Sequence, residues 1–303
     1  MNILQKLFSF LGFAPLVPAE EIQLDEPSST VANSDCGSKQ VVQTLDSPSC
    51  CEVKRIKLFH RLQQKNSSFF FSGKSAYVRR GTLKPSTVDR VFDFAYEMAF
   101  TDKHRNCRSG GDAERTNGEI FANTFQGKIA ECAACNFFYK FDPHAVPDFE
   151  TYEKGKWDTV DLTVCGKQVA IKSTKHFGQL LLLETKDWDS EGRYIPNIGR
   201  SICTYDYLLL VRVRPSCEDI LKANRLLYCD QVNEQELYRI CCTVQWEYDY
   251  AGYITHDELI HIIREKYTLP KHSFLNGKTR MDAENYYVQA IDLHKIETLE
   301  GMF

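Results

Sequence analysis

The chain has no run of about 18 apolar residues, so no segment has the length of a membrane-crossing helix. It has no internal repeat. It has little net charge, −4 over 303 residues with a pI near 6.1, so the whole-chain balance gives no hint of a polyanionic partner. Twelve cysteines are present, but the CxxC of Cys132 and Cys135 has no second clear pair, and the chain is too long for a disulfide scaffold. Several cysteines sit inside apolar runs, where a free thiol behaves as a small hydrophobe. Reduced, buried cysteines and a cytoplasmic setting are the expectation, with a structural zinc or iron–sulfur site as the lesser alternative. Apolar residues at 43% and charged residues at 26% are ordinary for a globular protein with a sizeable core.

The small net charge conceals a division. Residues 1–53 carry two Lys against seven carboxylates. Residues 54–90 carry ten Lys and Arg against Asp89 alone. A basic segment within an acidic protein is the first positive clue to a polyanion. In this segment Lys54, Arg55, Lys57, Arg61, Lys65, Lys74, Arg79 and Arg80 alternate with Phe59, Phe69, Phe70, Phe71 and Tyr77. Interleaved cations and rings suit nucleic-acid contact, and they equally suit a solvated face with a few core-packing Phe residues.

The opening residues loosely imitate an export signal. Gly12 and Pro15 interrupt the apolar stretch, however, and Ile3, Leu4, Leu7, Phe8 and Leu11 follow helical spacing. A short amphipathic docking helix or a frayed end is the preferred reading. Residues 20–53, rich in Pro, Ser, Asp and Glu, read as a disordered linker. Helical patterns occur at 86–101 and 116–140, with Thr116 or Asn117 as cap, and at 216–227, 234–240, 256–267 and 281–290. Thr255 and Glu258 form a capping box for the helix that starts at 256. Strands are expected at Trp157–Val164, Gln168–Lys172 and Thr204–Arg214, and Leu180–Glu184 reads as a strand or the start of a buried helix. Helices bracketing strands indicate an α/β or α+β fold.

The informative stretch runs from Gly127 to Lys172. A tight turn at Cys165-Gly166-Lys167 makes WDTVDLTVCGKQVAIK a hairpin. Depending on the turn residues, Asp161 opposes Lys172 or Ala170, and in both registers Asp161, Ala170 and Lys172 share one face. Taken alone, that is a cross-strand ion pair worth ~0.2–1 kcal/mol. The helix before it carries Glu131 among Ile129, Ala130, Ala133 and Ala134, where a lone carboxylate is costly without a partner. Gly127, one turn earlier, would allow close approach to a sheet. Two carboxylates converging on one site suit Mg2+, and an adjacent Lys would orient water and stabilise phosphate charge.

Glu on a helix, Asp on a strand, a short turn and a second strand ending in x-x-Lys together resemble the PD-(D/E)XK nuclease superfamily, in an arrangement similar to type II restriction endonucleases. The resemblance covers residues 127–172. It implies an αβββαβ core with a mixed central sheet flanked by helices, and Mg2+-dependent phosphodiester hydrolysis. Residue by residue, it implies Asp161 and Glu131 as metal-binding acids, Lys172 as the catalytic Lys, and the Ile171 carbonyl as a further ligand. The family's second acid, two residues before the Lys, is Ala170 here, which removes one ligand. Asp148, Asp158 and Glu119 are reserve acids. His176 is a candidate general base. His256 and His261 are spaced poorly for a metal and read as surface residues. Trp188, Tyr194, Trp246, Tyr248, Tyr250 and Tyr253 read as core and rim rather than base-stacking groups.

The expectation is therefore a DNA endonuclease of restriction type. Its nuclease domain would span 54–303, with a DNA-contacting segment at 54–90, a catalytic core at 116–215 and a helical part at 216–303. Ser173 and Lys175 join the basic segment as candidate DNA contacts. Cutting both strands of a symmetric site implies a homodimer on double-stranded DNA. A repair or structure-specific nuclease, and a DNA-binding protein with a degenerate nuclease core, are the alternatives.

Overall fold

The computed structural model of the chain describes residues 58–101, 115–149, 161–199 and 203–303. The expected N-terminal helix and linker, and Lys54, Arg55, Lys57 and Asp158, lie outside these residues. The chain first forms the short strands β1 (Gln63–Lys65), β2 (Ser68–Phe70) and β3 (Gly81–Thr82). Helices α1 (Pro85–Phe100) and α2 (Asn117–Phe138) follow. Then come β4 (Leu162–Val164), β5 (Lys167–Lys175), β6 (Leu180–Glu184) and β7 (Tyr207–Arg214). Helices α3 (Cys217–Ala223) and α4 (Glu234–Cys242) lead to β8 (Glu247–Thr255) and α5 (His256–Arg264). The last strands are β9 (Thr268–Leu269), β10 (Phe274–Leu275), β11 (Thr279–Arg280) and β12 (Asn285–Gln289).

The fold is mixed α/β. A five-stranded sheet has the order β3-β8-β7-β5-β4, in which β5 and β7 are parallel and the other pairs antiparallel. Its middle strand, YLLLVRVR, is buried from Tyr207 to Val213 and apolar there except for Arg212, because both faces of the sheet are covered. Leu209, Val211 and Val213 join one core, against Phe121, Phe125, Ile129 and Ala133 of α2 and residues of α1, α3 and α4. Leu208 and Leu210 join a second core, against Leu181 of β6, Val288 of β12 and Leu259 and Ile262 of α5. A three-stranded sheet, β6-β12-β9, thus forms a layer opposite the helices.

Local chemistry explains the element ends. Thr116 caps α2 in a reciprocal box with Glu119, and Thr255 caps α5 with Glu258, the box expected from the sequence. Cys165 (φ 46°) and Gly166 (φ 80°) close the β4–β5 hairpin with both central residues in the left-handed region, the two-residue turn that matches strand twist. Of the two possible registers this turn selects the one with Leu162 opposite Val169, the pairing ending there as β4 begins.

The structure corrects three expectations. The segment 281–290 is not helical: Asn285–Gln289 is β12, hydrogen-bonded along β6 from Asn285↔Glu184 to Gln289↔Leu180. The part from 216 onward holds five strands besides its three helices. The connection from β5 to the parallel β7, where an αβββαβ core would place a helix, contains β6 and two short 3-10 turns among the described residues. The expected strand residues 157–160 lie outside the described residues.

Candidate active site at the end of the hairpin

Asp161 stands immediately before β4, where that strand leaves β5. Its Oδ2 accepts a hydrogen bond from the Ile171 N–H at 2.7 Å. In a hairpin of this register the next ladder acceptor for that N–H would be the carbonyl of residue 160, so the Asp161 carboxylate takes the place of a ladder carbonyl. The N–H and C=O of one strand residue leave on the same edge, so the Ile171 carbonyl also faces this side. Ala170 is wholly buried against Leu208 and Leu210 in the second core. Lys172, two residues on, belongs to the same face opposite Leu210, is half-buried, and has no hydrogen-bond or ion-pair partner among the described residues. Asp161 and Lys172 are therefore brought to the same end of the hairpin, through the Ile171 amide, without being an ion pair.

Glu131 is placed differently. Helix α2 packs on the sheet face carrying Val169 and Ile171, opposite to the face of Ala170 and Lys172. The Glu131 carboxylate is met by Lys128, whose Nζ lies 2.5 Å from Oε2 and also donates to the Asp148 carbonyl at 2.7 Å. Lys128 is buried and lies over the rings of Phe94, at 4.7 Å, and Phe149, at 5.7 Å. The partner a buried carboxylate requires is thus a lysine one turn earlier on its own helix. Gly127 gives no close approach, since a Cβ there would meet nothing within 4 Å. The close approach on α2 is at Gly118, where a Cβ would fall 2.2 Å from the Leu226 carbonyl oxygen. Among the reserve acids, Glu119 is engaged in its capping box and Asp148 holds Lys128 through its carbonyl.

The basic segment is largely tied to its own chain. Arg61 donates to the Glu265 and Lys266 carbonyls beyond the C-terminus of α5 and stacks on Tyr267 at 4.2 Å. Arg79 pairs with Glu247 at 3.1 Å, and Arg80 pairs with Glu297. Lys175 pairs with Asp219 at 2.8 Å and Glu218 at 3.1 Å; burial pulls its pKa down, but those two carboxylates outweigh that and raise it. Lys74 is exposed and unpaired among the described residues, and Ser173 is half-buried on the face of Ile171.

Sequence reasoning missed what anchors this segment. Arg212 and Asp249, opposed on β7 and β8 and both buried, form a two-pronged pair at 2.8 and 2.6 Å. Arg212 also donates to the Ser75 and Ala76 carbonyls, and Asp249 accepts from the Val78 N–H. Gln179 and Gln289 hydrogen-bond the backbone of Ser75 and Ser72, and Asp292 accepts from His60. The signal available was an Arg and an Asp inside otherwise apolar or aromatic strand patterns. His176 packs edge-on to Tyr77 at 6.0 Å, and both its Nδ1 and the Tyr77 hydroxyl are buried without a hydrogen-bond partner among the described residues. Burial, with Asp249 nearby, pushes the Tyr77 hydroxyl up to about 12. His256 and His261 are half-buried rather than surface residues. Trp246 is fully buried and donates to the Cys241 carbonyl; Trp188, Tyr194, Tyr248 and Tyr253 are buried as well. Cys132 and Cys135 are buried free thiols, the former pushed up to about 12, chiefly by burial.

Among the described residues no group of three or more His, Cys, Asp or Glu side chains forms a metal-sized cluster. The hairpin end offers one carboxylate, with one oxygen on an amide, and one backbone carbonyl. Mg2+ is commonly held by one or two carboxylates, with water and substrate phosphate completing the octahedron. The donor set fits Mg2+ arriving with a phosphate and does not fit a closed structural metal centre. No helix is long and apolar enough to cross a membrane among the described residues. No family model matches the chain, and comparison with curated proteins and with solved structures gave no significant match.

Proposed function

We propose that the protein is a Mg2+-dependent DNA endonuclease of restriction type, acting on double-stranded DNA as a homodimer. The observation that carries the reading is the hairpin end: Asp161 fixed on the Ile171 amide where β4 leaves β5, with Lys172, unpaired among the described residues, one residue further along. The hydrogen bond sets the Asp161 carboxylate in one orientation, and its second oxygen has no hydrogen-bond partner among the described residues. The Lys172 ammonium, which has no carboxylate partner among the described residues, can sit against a phosphate and offset the charge that builds up during attack by water. A bound Mg2+ would supply Lewis-acid polarisation of a phosphoryl oxygen. Glu131 stands on α2, which packs on the other face of the sheet, and its carboxylate meets Lys128 there.

Purified protein incubated with plasmid DNA and Mg2+ is expected to give discrete fragments, and none in EDTA. Absence of any cleavage across a panel of plasmids, linear duplexes and branched substrates contradicts the reading. Cutting confined to branched DNA would instead identify a structure-specific nuclease. A second reading has its own support. Ala170 fills the place of the second acid and is sealed in the core, which favours a DNA-binding protein with a degenerate nuclease core. That reading expects metal-independent, salt-sensitive DNA binding without hydrolysis.

A further inference from the structure

A four-stranded sheet with the order β1-β2-β10-β11 is assembled from two hairpins far apart in the chain. Its registers place Lys65 opposite Ser68, Ser68 beside Phe274, and Phe274 opposite Arg280, so these four residues form one row across all four strands. The neighbouring row is Gln64, Phe69, Leu275 and Thr279. Adjacent rows point to opposite faces of a sheet. Phe69 is buried in the second core and Leu275 packs against it, so the row of Lys65, Ser68, Phe274 and Arg280 faces outward. Lys65 and Arg280 are exposed, and neither has a partner among the described residues. Phe274 is 36% exposed between them. Neither residues 58–88 nor 266–281 contain a carboxylate. Asp282, the nearest acid in sequence, lies 3.9 Å from Arg115.

We propose that this outward row is a duplex-DNA-binding face, separate from the hairpin end; the inference rests on the DNA reading above but not on hydrolysis. Three interstrand steps of about 4.8 Å set the outer strands roughly 14 Å apart. The major groove is ~12 Å wide. A cation at each side of the sheet therefore matches a phosphate on each rim of the groove, with Phe274 and Ser68 on the face between them. Lys278, exposed in the turn between β10 and β11, adds to the same positive field.

The test is fluorescence anisotropy of the full-length protein on a labelled duplex in EDTA, where hydrolysis does not run. Lys65→Glu with Arg280→Glu is expected to weaken binding by at least about tenfold and to lower the log–log salt slope by about 2, one for each lost phosphate contact. Lys65→Arg with Arg280→Lys is expected to bind as the parent does, and thermal melting checks that both variants are folded. Unchanged affinity and slope in the folded charge-reversal variant overturn the proposal, as does an equal loss on a single strand of the same sequence. The two readings fail separately. Weakened binding without any cleavage by the parent retires the nuclease alone, and intact binding with intact cleavage retires this face alone.

Discussion

Asp161 holds an amide that would otherwise end at the point where two strands part, and this gives it a structural duty besides any chemical one. Replacing it with Ala leaves the Ile171 N–H without its acceptor, at a cost of ~1–1.5 kcal/mol; Asn keeps an acceptor oxygen and is expected to lose less, as read by urea unfolding. Arg212 has the larger structural role. Arg212→Met leaves Asp249 buried and unpaired and frees two carbonyls, with an expected loss of ~3–5 kcal/mol; adding Asp249→Leu is expected to recover part of it, because the uncompensated charge is then gone. Little of this was legible in the sequence. Asp161 and Lys172 stood out as polar residues in an apolar hairpin, and the structure sets the Asp161 carboxylate on the amide of the residue before Lys172. Glu131 stood out for the same reason, yet its partner was three residues away on its own helix. Spacing identifies which residues share a helix face but not which way a lysine stem folds.

The termini and turns of the elements were the readable part. Thr255 and Glu258 announce their capping box because the box depends only on local spacing, whereas of Thr116 and Asn117 the structure makes Thr116 the cap and gives it Glu119 as box partner. Leu180–Glu184 and Asn285–Gln289 are harder, because each becomes a strand by pairing with the other across a hundred residues, a non-local outcome that overrides local pattern. Strand β8, YDYAGYIT after Glu247, was missed for a related reason: aromatic rings placed around Gly252 read as dispersed core residues. The glycines of α2 give a direct check on packing. Gly118→Ala drives a Cβ into the Leu226 and Leu227 carbonyls and is expected to destabilise by more than ~2 kcal/mol. Gly127→Ala meets open space in a helix interior and is expected to stabilise by ~0.5–1 kcal/mol. Similar melting shifts for the two substitutions contradict this account of how α2 is seated.

At the scale of the molecule, the central sheet separates two cores, and which core an element joins decides which residues can meet. That division places helix α2, which carries Glu131, against the face opposite to that of Ala170 and Lys172, and no sequence pattern announces it. The basic segment packs Phe59, Leu62 and Phe69 into the second core and is held by Arg212, Gln179, Gln289 and Asp292, so its arginines mostly serve the fold while Lys65 and Lys74 have no partner among the described residues. The composition signalled a polyanion partner; the structure narrows the cations that remain available for one. The central claim, that the hairpin end is a hydrolytic centre, is tested most directly by single-turnover cleavage of plasmid DNA in Mg2+ by the parent protein and by Lys172→Ala. The account predicts that the variant, folded and binding DNA as tightly as the parent within about threefold (~0.7 kcal/mol), loses cleavage by at least ~100-fold. Cleavage undiminished in Lys172→Ala would contradict it.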